Sequence, residues 1–154
     1  MSIAMRVENV LREHGAHYKL IPHRISGSTH GSAEAAHVRD DHIAKAVVVR
    51  DDQGFAMAVI PGDTWLDIDA LGSETGRAFE LDDESDLKAL FPDCTPGAVP
   101  PLGPAYQLET FLDEALGSLS TVYFESGDHA HLVRVNGETF SELMRGVRHG
   151  HFGR

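Results

Sequence analysis

Residues 43–60 read IAKAVVVRDDQGFAMAVI, and this stretch decides the fold. Two runs rich in branched and apolar residues, 43–50 and 55–60, flank the polar segment Asp51–Gly54. Branched side chains pack well on a pleated surface, and acidic residues followed by glycine favour a turn. The stretch therefore predicts a β-hairpin made of two buried strands.

Lys45 stands near the start of the first strand, where the chain becomes apolar. Burying an unpaired ammonium is costly, so either the side chain lies at the exposed mouth of the strand or a cavity needs its charge. In the first case its stem covers apolar surface and its head reaches water. In the second case it offers three donors to a carbonyl or phosphate oxygen. The local sequence leaves both interpretations open.

The remaining patterns predict short elements separated by turns. Helical spacing and capping residues predict helices, and short branched or aromatic runs predict strands. The predicted helices are Ser2–His14, Ala33–His37, Asp67–Leu71, Asp83–Phe91 and Glu138–Met144, and the further strands are His17–Ile21, Ala78–Leu81, Thr110–Asp113, Thr121–Ser126 and His131–Val135. Since strand–turn–strand units dominate, we expect an α+β chain whose mixed, curved, β-barrel-like sheet carries peripheral helices.

The length of 154 residues predicts a single domain over residues 1–154. We expect its basic end, residues 145–154, to be a flexible, solvated tail. No apolar stretch approaches membrane-spanning length and the N-terminus lacks a signal peptide, so we expect a cytoplasmic protein with no membrane partner. Cys94 is the single cysteine, which excludes an internal disulfide, and its acidic neighbours make it a poor nucleophile.

The charge is strongly acidic, with 13 basic and 24 acidic residues and a formal net charge of −11. Non-specific binding to nucleic acid depends on neutralising phosphates, so this charge argues against a protein that coats DNA or RNA. It still allows a local pocket that reads a small piece of nucleic acid.

The loop from Gly97 to Gly103 contains the adjacent prolines Pro100 and Pro101. Proline stiffens the loop, and glycine lets backbone amides come close to a ligand. Such donors can hold an oxyanion or a ribose–phosphate group. A rigid crossover loop with no ligand explains the same residues.

The chain contains ten histidines, and two pairs recur at the same spacing: His129 with His131, and His149 with His151. In an extended segment each pair shares one face. A metal site needs three or four convergent ligands, so the pairs alone do not specify one. A metal hydrolase built on His129 and His131 remains a rival hypothesis, and it predicts loss of activity with a chelator.

Three pieces of the sequence, in order, resemble one family. They are Ile21–His23 with Thr29 and Glu34–Ala36; then Ile43–Val49; then Pro96–Gly103 followed by Phe111–Glu114 and Val122–His129. Together they resemble the YbaK/prolyl-tRNA-synthetase-associated domain family of aminoacyl-tRNA editing proteins over roughly residues 17–144. The resemblance implies hydrolysis of the ester that joins a wrong amino acid to the 3′ end of a tRNA, with neither a metal nor another cofactor.

The resemblance also implies roles for individual residues. Lys45 takes the family's essential lysine position and would hold the substrate carbonyl or the terminal adenosine region. The loop residues Gly97, Pro100, Pro101, Leu102 and Gly103 would line the pocket, and Thr29 and His129 would lie near the aminoacyl group. The sequence offers no convincing general base, so a water positioned by backbone groups and a ribose hydroxyl is the economical nucleophile. The expected partners are the 3′ end of an aminoacyl-tRNA and a synthetase that could hold the rest of the tRNA.

Two positions depart from the members that act on cysteinyl-tRNA, which have a threonine and a tyrosine where this chain has Ala46 and Ile21. The departure favours another small amino acid, such as alanine, serine or threonine. Discrimination of one methylene is worth only ~1–3 kcal/mol, so small differences in the pocket decide the substrate. The alternative to an enzyme is a non-catalytic or regulatory module on the same fold that binds a nucleotide or an aminoacyl end.

Overall fold

The computed structural model describes residues 3–24, 29–83 and 85–154. Within them the chain forms five α-helices: α1 (Met5–Glu13), α2 (Thr29–Ala36), α3 (Ile68–Thr75), α4 (Leu87–Leu90) and α5 (Gly137–Leu143). The strands are β1 (Lys19–Pro22), β2 (Ile43–Asp51), β3 (Gly54–Pro61), β4 (Glu80–Leu81), β5 (Glu109–Asp113), β6 (Thr121–Glu125), β7 (His131–Asn136) and β8 (Arg148–Gly150). None of the helices in this part of the chain has the length and apolar character needed to cross a bilayer.

All eight described strands belong to one open, curled sheet in the order β1-β7-β6-β2-β3-β5-β8, with β4 beside β2. Neighbours β2 and β3 are antiparallel, as are β6 and β7, whereas β3 and β5 run parallel. The predicted α+β class with a mixed, curved sheet is confirmed.

The β2–β3 hairpin is the centre of this sheet, as residues 43–60 predict. Its register runs from Ala44 opposite Pro61 to Asp51 opposite Gly54. Gly54 has φ 126°, a backbone conformation that side-chain-bearing residues avoid. Along β3 the buried side chains alternate between two apolar clusters on opposite faces, with Ala56, Ala58 and Ile60 in one and Met57 and Val59 in the other. The sheet therefore has a core on each side.

On the edge away from β3, β2 pairs with two other strands, β6 at its start and β4 at its end. This arrangement positions the site. Ile43 and Ala44 pair with β6 in parallel, and Val49 and Arg50 pair with β4 in antiparallel fashion. The register pairs none of the residues from Lys45 to Val48 on this edge within the described chain. A gap in the sheet thus opens beside Lys45.

The basic end of the chain is ordered, so the expectation of a flexible tail is wrong. Strand β8 pairs in parallel with β5, from Arg148 opposite Phe111 to Gly150 opposite Asp113. The Phe152 side chain is fully buried and packs edge-on against Phe111, with 6.2 Å between ring centroids. One aromatic residue in a segment of glycine, arginine and histidine gives no periodic signal, so sequence patterns do not reveal this pairing.

Two predicted local structures also differ. The helix expected from Asp83 to Phe91 is reduced to α4, because the Asp83 carboxylate accepts a hydrogen bond from the Ser85 amide (3.0 Å) and holds a turn that competes with the helix. The turn implied between the predicted strand His131–Val135 and the predicted helix Glu138–Met144 is the start of α5 itself, since the Asn136 side chain accepts a hydrogen bond from the Thr139 amide (2.8 Å) and caps the helix.

Candidate functional site

A pocket of about 270 Å³ lies along the gap in the sheet, beside β2. Four parts of the chain close it: β2 itself, the segment from β4 to α4, the loop that begins at Gly97, and the end of β6. Its lining residues are Ala44, Lys45, Ala46, Val47, Val48, Leu81, Asp82, Leu87, Gly97, Val99 and Glu125. Small and apolar walls with a few polar groups are typical of a small-molecule site.

Lys45 supplies the positive charge of this pocket. Its Nζ donates a 2.5 Å hydrogen bond to the Thr64 carbonyl and lies 5.2 Å from the centroid of the Trp65 ring. Burial lowers the pKa of Lys45, and the carboxylates of Asp63 and Asp40 oppose that shift. The side chain is therefore half-buried and still has donors to offer, which combines the two interpretations that the sequence left open.

Glu125 lies at the end of β6, one residue beyond the Phe124–Ala44 pair, and lines the same pocket. Its side chain is 3% exposed, and neither carboxylate oxygen has a hydrogen-bond partner among the described residues. Burial raises the pKa of Glu125 to about 7, with the nearby Ser32 hydroxyl opposing and Asp128 adding to the rise. A carboxyl whose pKa lies near neutrality, in a pocket that a lysine also lines, is a candidate for proton transfer.

Glu125 is not among the site residues that the sequence predicts, and for this reason the sequence offered no convincing general base. The available signal was a glutamate that ends an otherwise buried strand, directly before Ser126 and Gly127. A charged residue at such a strand end is common on protein surfaces, so only the burial of the whole segment distinguishes this one.

His129 is buried next to Glu125, in a turn where its own φ is 57°. Its Nε2 lies 3.1 Å from the Pro96 carbonyl, and because a carbonyl only accepts, Nε2 carries the proton. Nδ1 is 3.8 Å from the Glu125 carboxylate. Burial lowers the pKa of His129, while the Pro96 carbonyl favours the protonated ring. His129 is thus hydrogen-bonded to the loop that leads to Gly97 and lies next to the Glu125 carboxyl without bonding to it.

The two histidines of the first pair point to different partners. His131 contacts the Asp128 carboxylate through Nδ1 at 2.7 Å, whereas His129 contacts Pro96. The turn at 126–130 breaks the extended conformation that would have placed both rings on one face. Within the described chain, the carboxylates close enough together to hold a cation are Asp82, Asp83 and Asp86, a group that does not include these histidines.

The single thiol is partly buried and belongs to a structural network. Cys94 Sγ lies 3.4 Å from both the Asp93 carboxylate and the Tyr106 hydroxyl. Burial, with the neighbouring Asp93 charge, raises the pKa of Cys94 to about 12. The thiol is a poor nucleophile, as its acidic neighbours predict.

Comparison with known proteins decides the family. A sequence model of the aminoacyl-tRNA editing domain matches residues 28–143. This chain belongs to the aminoacyl-tRNA editing domain family. No curated protein matches it.

Solved structures share the fold of this editing domain. A proposed trans-editing enzyme for prolyl-tRNA synthetase superposes with a TM-score of 0.81 at 23% identity, covering 97% of this chain and 95% of the other. A proposed signal transduction protein from Marinobacter aquaeolei VT8 gives a TM-score of 0.78 at 19% identity, covering 99% of this chain and 31% of that longer one. At these identities the likeness establishes the fold alone.

The editing domain brings only part of the predicted site together. Lys45 and Gly97 line the pocket, and His129 lies directly behind it against Glu125. Thr29 begins α2, and its side chain lies outside the described part of the structure.

The second half of the proline loop packs into the protein and does not line this pocket. Pro100, Pro101, Leu102 and Gly103 are all buried. A Cβ atom on Gly103 would lie 1.9 Å from the Thr110 hydroxyl oxygen, so this glycine is needed for packing against β5. The loop therefore presents Gly97 and Val99 to the pocket and uses its other residues as an anchor.

Proposed function

We propose that this editing domain is a trans-acting aminoacyl-tRNA deacylase for a tRNA mischarged with a small amino acid. The observation that carries the proposal is one pocket in which Lys45 and the buried Glu125 face small apolar walls, within an editing-domain fold. The partner is the 3′ end of the aminoacyl-tRNA, since a pocket of about 270 Å³ admits only the aminoacyl end.

In the proposed reaction, water attacks the carbonyl carbon of the ester, and the bond from that carbon to the ribose oxygen breaks. The products are the free amino acid and a tRNA with a free terminal hydroxyl. Lys45 stabilises the negative charge that develops on the carbonyl oxygen. Stabilisation of this kind by a preorganised donor is usually the largest single part of an enzyme's rate enhancement. The neighbouring ribose hydroxyl positions the water, and Glu125 is a protein group in the pocket whose pKa of about 7 allows it to exchange a proton near neutral pH.

The substrate is expected to be small because the pocket that Lys45 lines has a volume of only about 270 Å³. Alanyl, seryl and threonyl esters fit this description best, and Ala46 disfavours the cysteinyl ester. With a net charge of −11, the protein has little electrostatic attraction for the negatively charged backbone of a tRNA. We therefore expect a synthetase to hold the rest of the tRNA while its end enters this pocket.

Deacylation of a panel of mischarged tRNAs tests the proposal, using the wild-type protein, Lys45→Ala and Lys45→Arg. We expect turnover of one or two small aminoacyl-tRNAs and a loss of about a hundredfold or more in Lys45→Ala. Lys45→Arg keeps the charge but changes its shape, so partial activity is expected. Lys88→Ala, on the exposed face of α4, is the control for loss of a lysine. Binding of the tRNA end without turnover of any member of the panel would favour the non-catalytic module.

A further inference from the structure

Trp65 is the most exposed of the large apolar side chains in the described chain, with 77% of its surface open to solvent. Trp65 adjoins the pocket through Lys45, because the Lys45 Nζ lies 5.2 Å from the centroid of the Trp65 ring. We propose that Trp65 is the stacking platform for the nucleobase of the terminal nucleotide. This inference rests on the proposed function, because it places the base that is joined to the ester bound at Lys45.

The backbone that carries Trp65 is held firmly, so an exposed ring here does not come from a loose loop. The Trp65 amide donates to the Arg154 carbonyl at 3.0 Å, and the Arg154 amide donates to the Trp65 carbonyl at 2.9 Å. The next residue, Leu66, forms a bridge with Gly153. A platform that is already ordered lowers the entropy cost of binding.

The residue before Trp65, Thr64, is also held by hydrogen bonds. The Thr64 hydroxyl donates to the Pro61 carbonyl at 2.7 Å, and the Thr64 carbonyl accepts the Lys45 ammonium. The lysine that would bind the ester and the ring that would bind the base are thus fixed to each other through Thr64. Their separation of about 5 Å suits two neighbouring parts of one aminoacyl-nucleotide.

Stacking is the interaction that this surface can offer to a base. An aromatic ring stacks on any nucleobase, and single-stranded ends are the form of RNA in which bases are free to stack on side chains. Asp63 is exposed and lies near Lys45, and its negative charge would repel a phosphate. A site that binds phosphate by charge alone is therefore unfavourable here. A flat ring with one adjacent cation therefore fits the base of a nucleotide better than its phosphate alone.

Trp65 is the only tryptophan in the chain, so its fluorescence reports the platform directly. We expect adenosine 5′-monophosphate and the trinucleotide CCA to quench it saturably, and ribose 5-phosphate, which has no base, to leave it unchanged. In deacylation assays we expect Trp65→Ala to raise KM by about tenfold with kcat nearly unchanged, and Trp65→Phe to retain most of the affinity. Met5→Ala, at another exposed apolar side chain, is the matched control.

The two readouts separate the inference from the proposed function. No saturable quenching by either nucleotide, or equal KM values for the wild type and Trp65→Ala, would overturn the platform. Equal quenching by ribose 5-phosphate would overturn it too, because the base would then be irrelevant. Saturable quenching together with no turnover of any aminoacyl-tRNA would support the platform and refute the deacylase.

Discussion

The backbone amide of Phe152 donates a 2.9 Å hydrogen bond to the Oδ2 atom of Asp113, a carboxylate that is 4% exposed. The same oxygen accepts from the Gly153 amide at 2.7 Å, and Oδ1 accepts from the Ala115 amide at 2.9 Å. Asp113 ends β5, so it joins the last residues of the chain to the centre of the sheet. Through Arg154 this connection reaches the Trp65 loop beside Lys45.

We expect Phe152→Ala to lower the free energy of unfolding by about 3–5 kcal/mol, because it removes a fully buried aromatic ring. Urea unfolding measures the change. Arg154→Ala keeps the backbone hydrogen bonds and removes only an exposed side chain, so its effect should stay within about 0.5 kcal/mol. Similar stabilities for wild type and Phe152→Ala would show that the chain end does not pack as described.

The pKa of Lys45 is expected to lie below 10.5, because its burial disfavours the charged form. The chain has three lysines, so NMR titration of their side-chain ¹³Cε signals can resolve Lys45. Asp63→Asn should lower this pKa further, since the Asp63 carboxylate favours the cation. Asp52→Asn, in the distant hairpin turn, is the control. A Lys45 pKa at or above 10.5 would contradict the half-buried environment.

Glu125→Gln should make the stability of the protein less dependent on pH. In the wild type the folded state keeps the Glu125 proton up to about pH 7, while the unfolded state releases it near 4.5. Between these values the folded state binds more protons, so the free energy of unfolding falls as the pH rises, by about 3 kcal/mol at most. Above about pH 7 this contribution is constant.

The difference between wild type and Glu125→Gln isolates that contribution, because all other groups titrate in both proteins. Urea unfolding at about pH 5 and about pH 8 should show the wild type losing more stability than the glutamine variant. Parallel pH profiles would mean that the Glu125 carboxyl is not desolvated.

Gly103→Ala should destabilise the protein by about 1–3 kcal/mol, because the new methyl group would overlap the buried Thr110 side chain. Thr110→Ala removes the hydroxyl that causes the closest contact, so the double variant should recover part of the loss. A double-mutant cycle measured by urea unfolding gives the coupling between the two sites. Additive effects would show that Gly103 is needed for a reason other than Thr110.

Sequence patterns predicted those parts of the fold whose cause is local. The hairpin follows from two apolar runs around Asp51–Gly54, and its register is centred on that turn, with Asp51 opposite Gly54. Phe152 was missed because its partner Phe111 is far away in the chain.

In the candidate site, too, sequence patterns reveal local features and miss those that depend on distant parts of the chain. Lys45 interrupts an apolar strand and can be noticed from sequence, whereas Glu125 matters only because the fold buries it beside the gap in β2. Gly103 ends the proline loop that the sequence singles out, but its role in packing against Thr110 depends on a strand that follows it.

The partly buried position of Cys94 gives the protein a practical property for labelling experiments. Because burial raises the pKa of Cys94 to about 12, little of the thiol is ionised at about pH 8, so maleimides should react with it slowly. A cysteine introduced at an exposed position, such as Met5 or Asp52, would then react alone without removal of the natural thiol. Fluorophores or spin labels can thus be attached at chosen distances from the Lys45 pocket in an otherwise unchanged chain.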